Sequence, residues 1–556
     1  MSKQVLIINV TRMGDLVQTI PLLGRLAHEW PGVQIDLIID KTFAPMARLL
    51  PGIRHVLAYD FQELINDTRT MAKDVVALYR EVSSWARPFV ETRYDRVINL
   101  TFNRRSGLLA AYIGASDIRG VTTAHDGVSV LHNPWFNYFV DMHEHRRFNR
   151  FNLVDIYALG GSGAGPHAAL RLGITEEATD WAHRFLHTRE GEPPAIAVQI
   201  GASEAIKAWR PEYFGRTMAG LSKHTGAKFV LIGSKGEAEA VKQALQAYRA
   251  ANGVALVFDA VGHTDLPKLA ALLAQCRLLL TNDTGPMHVA VGVGTPVIDL
   301  SVGHVDFNET GPYGPGHWIV QPDLACAPCG FDQVCPHHAC KDRLIPEEVS
   351  ALCLHVLGAS PFPNSVTGVR LYESSIDGDG LACYRLRAGR TDPTSDWYGK
   401  FWRQYWYETF TGQRSAMHME EPTPDSADQV TVFRKLQPFV MQLVQRTTEL
   451  ARLTRQHPLP VAHLKSGQSN VSDSRQRALE IAMPSSAFGP ITVALLRELH
   501  NGEAMELTCM ADHQAAAYRT WSQRIRSVMD CLDCEPMRQS RPTMPSASVR
   551  IPLLMP

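Results

Sequence analysis

Short apolar runs alternate with amphipathic stretches over the first 150 residues. Residues 5–10, 34–40, 55–60 and 96–100 read as buried strands, and residues 16–28, 43–50 and 71–85 as the helices between them. Continuous apolar strands separated by helices predict parallel βαβ units with both faces of the sheet covered. The glycine-rich run 159–166 (LGGSGAGP) predicts a linker, after which the alternation restarts. Strands are expected at 196–200, 228–233, 256–261, 277–282 and 296–301, with helices at 211–223, 236–250, 266–275 and 286–293. This is an α/β pattern of two doubly wound, Rossmann-like domains facing a cleft, with ligands at the carboxyl ends of the strands.

A helix at 347–357 follows a Cys-rich loop and closes the second domain, and from about residue 361 the style changes. Trp397, Tyr398, Phe401, Trp402, Tyr405, Trp406 and Tyr407 crowd one segment. Polar, Pro-interrupted helices follow, clearest at 432–455 and 515–532. From residue 536 a Pro-, Ser- and Met-rich stretch without periodicity predicts disorder. The expected division is 1–165, 166–360 (with the Cys-rich loop at 326–340), a mainly helical extension over 361–535, and a tail over 536–556.

Composition narrows the partners. A chain of 556 residues exceeds one hydrophobic core, and a net charge of -1 provides no global field for nucleic acid. Anion binding must come from local basic groups and backbone amides. The apolar run at 5–10 is too short for a signal segment, and no stretch reaches the ~18 apolar residues of a spanning helix. The expectation is a cytoplasmic protein, with at most peripheral contact at the inner face of a membrane. Ten cysteines are too sparse for a disulfide scaffold of this size.

Five turns at strand ends carry the candidate chemistry. After the first strand, Arg12-Met13-Gly14-Asp15 places Asp15 at a helix start, as a cap or as a carboxylate facing the cleft. Ser203 and Lys207, after the strand that opens the second domain, suit a phosphate or a solvated turn. Glu237 stands where an acid can accept ribose hydroxyls, or simply complement a helix N-terminus. Asn282-Asp283-Thr284-Gly285-Pro286-Met287-His288 runs from a strand straight into a helix. The free amides near Thr284 and Gly285 form an anion site, Pro286 needs no N–H there, and His288 lies one turn in. Thr310-Gly311-Pro312-Tyr313-Gly314-Pro315-Gly316-His317 either walls the cleft or only turns the chain. On the opposite domain Arg12, Asn103, Arg104 and Arg105 offer an acidic or phosphorylated acceptor a basic edge, or are solvated surface.

In this order and at these spacings the motifs resemble glycosyltransferase family 9, the ADP-heptose:lipopolysaccharide heptosyltransferases. They are joined by Thr19-Ile20-Pro21-Leu22-Leu23, Gly201-Ala202 with Trp209, Leu231-Ile232-Gly233 and Gly294-Thr295-Pro296-Val297, and the resemblance covers about residues 1–358. It implies a GT-B fold and metal-independent, inverting transfer of a heptose from ADP-heptose to a lipopolysaccharide core or related acceptor. Asp15 matches the family's general base. Ser203 and Lys207 match diphosphate-binding residues, Glu237 the ribose-binding acid, and Asp283 a residue that touches the donor sugar. Thr284, Gly285 and His288 match the phosphate-binding helix start, and the backbone near Thr264 falls where adenine binds. Other readings are a transferase using another nucleotide sugar or a protein acceptor, a nucleotide-sugar epimerase, and a non-catalytic scaffold. The joint presence of Asp15, Lys207, Asp283 and His288 argues against the last.

Cys326, Cys329, Cys335 and Cys340 form C-x2-C-x5-C-x4-C, with His337 and His338 between. Four sulfurs in a short loop suit a structural zinc or iron site, or remain free thiols. Similar loops are found in many family members, and in a subset that resembles the autotransporter heptosyltransferases the loop holds iron. No cofactor is expected for transfer itself. Residues beyond 361 lie outside the resemblance and suit core packing, self-association or acceptor docking.

Overall fold

The computed structural model describes residues 2–61, 63, 74–163, 165–187, 195–331, 334–417, 419, 425–502 and 505–532. The stretch expected to be disordered, 536–556, lies outside them. The chain forms two compact units, Met1–Phe139 with Asn149–Thr391, and Val140–Phe148 with Asp392–Pro556.

The first unit holds two sheets. The first sheet has the order β3-β2-β1-β4-β5-β6, with β1 Gln4–Ile8, β2 Gln34–Asp40, β3 Ile53–Tyr59, β4 Arg96–Asn99, β5 Asp117–Thr123 and β6 Ser129–His132. All pairings are parallel except β5 with β6. The second has the order β14-β13-β12-β11-β10-β7-β8-β9. Its strands are β7 Ala195–Gln199, β8 Lys228–Ile232, β9 Val257–Asp259, β10 Cys276–Asn282, β11 Val297–Leu300, β12 Trp318–Pro322, β13 Val369–Ile376 and β14 Ala382–Ala388. Strands β7 to β12 pair in parallel, and the hairpin β13–β14 adds antiparallel strands at the edge. Strand order reverses between β1 and β4 and between β7 and β10, so each sheet opens a crevice at those carboxyl ends. The expected α/β class of two doubly wound domains is present.

Alternation along the second sheet sorts its residues. Ile196, Val198, Leu278, Leu280, Ile298 and Leu300 join Trp209 and Phe214 in one core. The residues between them face the other way. Gln199, Thr281 and Asp299 therefore stand in one row, Gln199 opposite Thr281 and Thr281 opposite Asp299.

Several elements differ from the sequence expectation. The helix expected at 16–28 is two, Met13–Gln18 and Ile20–Glu29, because Pro21 lies in the first turn of the second and sets its start. The helix expected at 71–85 is observed as Val75–Thr92, residues 71–73 falling outside the described ones. Strands β5, β6, β12, β13 and β14 have no counterpart in the expectation. The run 159–166 is not all linker, since residues 159–161 end the buried helix Leu153–Gly161. Their glycines serve close packing. A Cβ on Gly160 would lie 2.6 Å from the Phe136 ring, and one on Gly161 would lie 2.5 Å from Leu22.

That helix is tied into the second sheet by buried polar groups. Asp155 is fully buried and accepts from Tyr313 Oη at 2.9 Å and from the Ala382 amide at 2.8 Å. Asn152 donates to Tyr384 Oη at 2.8 Å and to the Gly311 carbonyl at 3.2 Å. The hairpin β13–β14 thus holds the end of the first domain against the loop at 310–317.

The second unit is helical, with Pro393–Thr411, Ser426–Leu453, Val461–Ala482, Gly489–Asn501 and Leu507–Leu532. The aromatic segment forms its first helix, where residues four apart share a face. Trp397 stacks on Phe401 at 5.3 Å and Trp406 on Phe410 at 5.1 Å. Trp402 donates its indole N–H to the Ser486 carbonyl at 2.9 Å. Asp141 pairs with Arg497 at 2.9 Å. No helix among the described residues is long and apolar enough to cross a membrane.

Removing the Asp155 carboxylate strands the buried Ala382 amide and leaves the Tyr313 hydroxyl only His167 Nδ1, at 3.2 Å, among the described residues. Asp155→Ala is expected to lower stability by about 3 kcal/mol, read by denaturant unfolding, with Asp155→Asn intermediate. An Ala variant as stable as wild type would show that these bonds do not hold the helix to the second sheet.

Candidate active site

Two helix N-termini meet where the sheets open toward each other. After β1 the chain turns at Thr11–Arg12 into Met13–Gln18, and after β10 at Asp283–Thr284 into Gly285–Gly292. Gly14 and Gly285 form the contact. A Cβ on Gly14 would lie 2.8 Å from His288 Cδ2 and 3.5 Å from Gly285 Cα, and one on Gly285 would lie 2.5 Å from Met13 Cε. Neither glycine has a positive φ, so what they supply is space for close approach. Asp15 is the residue after Gly14, and Thr284 the residue before Gly285.

The Asp15 turn is held by its own polar groups. Asn9 donates to the Asp15 carbonyl at 3.2 Å and to Thr19 Oγ1 at 2.9 Å, and Thr19 donates to that carbonyl at 2.9 Å. The Asp15 carboxylate accepts from the Arg12 amide at 3.2 Å, so it does cap its helix. Burial raises its proton affinity above the ordinary carboxylate range. The Arg12 amide, the Thr11 hydroxyl, and the charges of Arg12 and Lys207 act the other way. Lys207 belongs to the second sheet's domain, so its effect on Asp15 crosses the cleft.

On the other side, Asn282 donates to the carbonyls of Ile200 and Gly201 at 2.9 and 3.0 Å and accepts from the Trp209 amide at 2.8 Å. It locks the turn after β7 to the turn after β10. Thr284 donates to Gln199 Oε1 at 2.7 Å, and Gln199 in turn donates to Glu237 Oε1 at 2.7 Å. This chain of bonds runs from the helix start to the acid after β8. Amides of the first turn lack partners one turn back, which leaves the Thr284–Gly285 edge able to hold an anion.

Asp283 is buried and accepts from Thr310 Oγ1 at 2.8 Å, which makes the Gly- and Pro-rich loop a wall of the site. Burial pushes its carboxyl up to about 6, opposed by Thr310 and Lys207 and reinforced by Asp306 and Asp15. His288 is buried, its Nδ1 has no partner among the described residues, and burial with the charge of Lys207 brings it down to about 4, so the imidazole is neutral.

The remaining expected residues are placed as follows. Ser203 is exposed in the turn after β7, and Lys207 ends the short helix Ala205–Lys207. Glu237 caps its own turn through Ser234, and a Cβ on Gly201 would overlap its carboxylate at 1.9 Å. Thr264 follows a turn in which the Gly262 amide donates to the Gly233 carbonyl at 2.9 Å, so it neighbours the Glu237 turn. Asn103 caps the helix Arg104–Ile113 by accepting from the Ser106 amide at 3.0 Å, while Arg12, Arg104 and Arg105 are exposed.

In the Cys-rich loop, Cys326, Cys329, Cys335 and His337 line a pocket of about 210 Å³. Burial and the neighbouring thiols push Cys329 up to about 11. Among the described residues no group of three or more His, Cys, Asp or Glu side chains is placed to hold a metal ion. The thiols are gathered but do not form a ligand set.

Two doubly wound sheets with facing switch points give this a two-domain α/β fold of GT-B architecture. Residues 82–339 match the model of glycosyltransferase family 9 (heptosyltransferase), so the chain carries a domain of that family and the protein is a glycosyltransferase. Lipopolysaccharide heptosyltransferase 1 of Pseudomonas aeruginosa is 24% identical over 335 residues, 59% of this chain and 86% of the relative. Lipooligosaccharide heptosyltransferase 2 of Campylobacter jejuni is 30% identical over 159 residues, 28% of this chain and 48% of the relative. Among solved structures, E. coli ADP-heptose lps heptosyltransferase II is 18% identical with a TM-score of 0.46, covering 64% of this chain and 98% of that one.

The glycine contact is directly testable. Gly14→Ala puts a methyl against the His288 ring, forcing the helix ends apart, and is expected to lower kcat/KM at least about tenfold with little change in melting temperature. Unchanged kcat/KM would mean that the approach is incidental.

Proposed function

We propose that the protein transfers a heptose from ADP-heptose to a lipopolysaccharide core or related glycan acceptor, with inversion and without a catalytic metal. The observation that carries this reading is the approach of Gly14 to Gly285, which sets the Asp15 carboxylate across the cleft from the Thr284–Gly285 amides. Inversion by direct displacement needs one base on the acceptor side, and Asp15 fills that role. Its raised proton affinity makes it a stronger base than an exposed carboxylate. Departure of the diphosphate builds negative charge, which Lys207, Ser203 and the amides at Thr284 and Gly285 stabilise in place. The neutral His288 lines the same edge without adding a charge that must be balanced.

Asp283 meets a hydroxyl of the donor sugar, Glu237 the ribose, and the backbone near Thr264 the adenine. Both Glu237 oxygens already accept bonds from Gln199 and Ser234, and each keeps a lone pair for a ribose hydroxyl. Arg12, Arg104 and Arg105 stand on the acceptor side, where a phosphorylated or acidic sugar would meet them. The names of the similar heptosyltransferases support a heptose as the transferred sugar and a lipopolysaccharide or lipooligosaccharide acceptor. No step of this reaction draws on the Cys-rich loop at 326–340.

Donor identity is read by thermal shift with ADP-heptose, UDP-sugars and GDP-sugars, since a bound donor stabilises the fold by mass action. ADP-heptose is expected to give the largest shift, and a larger shift from a UDP- or GDP-sugar would overturn the donor assignment. Asp15→Ala is expected to lower transfer at least about a thousandfold while ADP binding stays within about threefold. Comparable turnover in the mutant removes Asp15 as the base.

A further inference from the structure

Behind the anion site lies a carboxyl that the proposed reaction does not use. Asp299 on β11 is fully buried, and neither of its oxygens has a hydrogen-bond partner among the described residues. It stands opposite Thr281 on β10, two residues before Asp283, on the sheet face that also carries Gln199. The Ser301 hydroxyl, two residues further along the chain, is likewise buried and without a partner among the described residues. An aliphatic side chain would fill this place in the sheet at no electrostatic cost, whereas an unpaired buried carboxylate is among the most costly groups a core can hold. Such a group survives burial by keeping its proton.

We propose that Asp299 is a positioning residue for the donor diphosphate, a buried carboxylic acid that must stay protonated for the anion site at Thr284 and Gly285 to hold its ligand. Among the described residues, Asp283 from the β10 turn and Lys207 from the β7 turn act on its carboxyl, and it acts in turn on Tyr384 of β14. Burial first, then repulsion by Asp283, raises the proton affinity of Asp299, against the attraction of Lys207. A carboxyl raised in this way is neutral at low pH and gains its charge only as pH rises. Once ionised, it places a second negative charge beside Asp283 and behind the diphosphate, and draws on the same lysine. Neutral Asp299 leaves Lys207 to the ligand; ionised Asp299 competes for it.

The inference rests on the donor-site reading above, and the test separates the two. Affinity for ADP and, separately, for inorganic pyrophosphate is measured by calorimetry from about pH 6.5 to about pH 9 for wild type and Asp299→Asn. Melting of the free proteins is followed in parallel, and Asp299→Ser replaces the Asn variant should that one fail to fold. The ligand's own titration is common to all proteins. Wild-type affinity is expected to fall at least about tenfold across this range, and the fall in Asp299→Asn to shrink to less than about threefold. An equal pH slope in wild type and variant, or an affinity loss in the variant by one constant factor at every pH, would overturn the proposal while leaving ADP as the donor nucleotide. Pyrophosphate binding with a slope that Asp299→Asn removes, but no ADP binding, would uphold the proposal and sink the nucleotide reading. Failure of both ligands to bind wild type at any pH would sink both.

Discussion

The approach of two helix N-termini through Gly14 and Gly285 is the constraint on which the site depends. Each helix begins where its sheet reverses strand order, so topology alone aims both at the crevice. The two glycines then let backbone meet backbone and imidazole without a Cβ between them. With any side chain there, the helices must separate, and the carboxylate on one would lose its position relative to the amides of the other. Neither domain contains the proposed reaction centre by itself. It exists only at their contact.

Charge follows from that contact. Lys207 acts on Asp15, Asp283, His288 and Asp299, groups drawn from both domains. Three carboxyls, all at least partly buried, share the field of Lys207. Burial raises the proton affinity of each carboxyl. An arriving diphosphate meets helix-end dipoles and Lys207, in keeping with a chain whose net charge is -1. Buried polar bonds supply the rigidity, with Asn282 linking the β7 and β10 turns and Asp155 linking the first domain's last helix to the second sheet.

Much of this was legible in the sequence where local pattern and physical role coincide. The apolar run of β1 ends at a turn that must hold Asp15, and the apolar run of β10 ends at Thr284. Both runs and both turns are visible without a structure. The missed parts are those whose cause lies far along the chain. Gln199 looks like an ordinary strand-end polar residue until the row Gln199–Thr281–Asp299 is assembled across three strands. Strands β13 and β14 are half-buried, with charged and aromatic residues mixed, so they lack the continuous apolar signature of the central strands. Gly160 and Gly161 read as a linker because sequence alone does not show that Phe136 and Leu22 need their space. Residues 140–148 sit inside the first expected domain, yet they cluster with the helical unit, and no composition shift marks that excursion.

The most direct measurement is an experimental structure of the protein with ADP bound. The terminal phosphate is expected at the amides of Thr284 and Gly285, with Lys207 beside it and the Asp15 carboxylate facing it over the crevice. A structure in which ADP occupies another surface, or in which Asp15 and Thr284 open onto separate faces of the protein, would contradict the account.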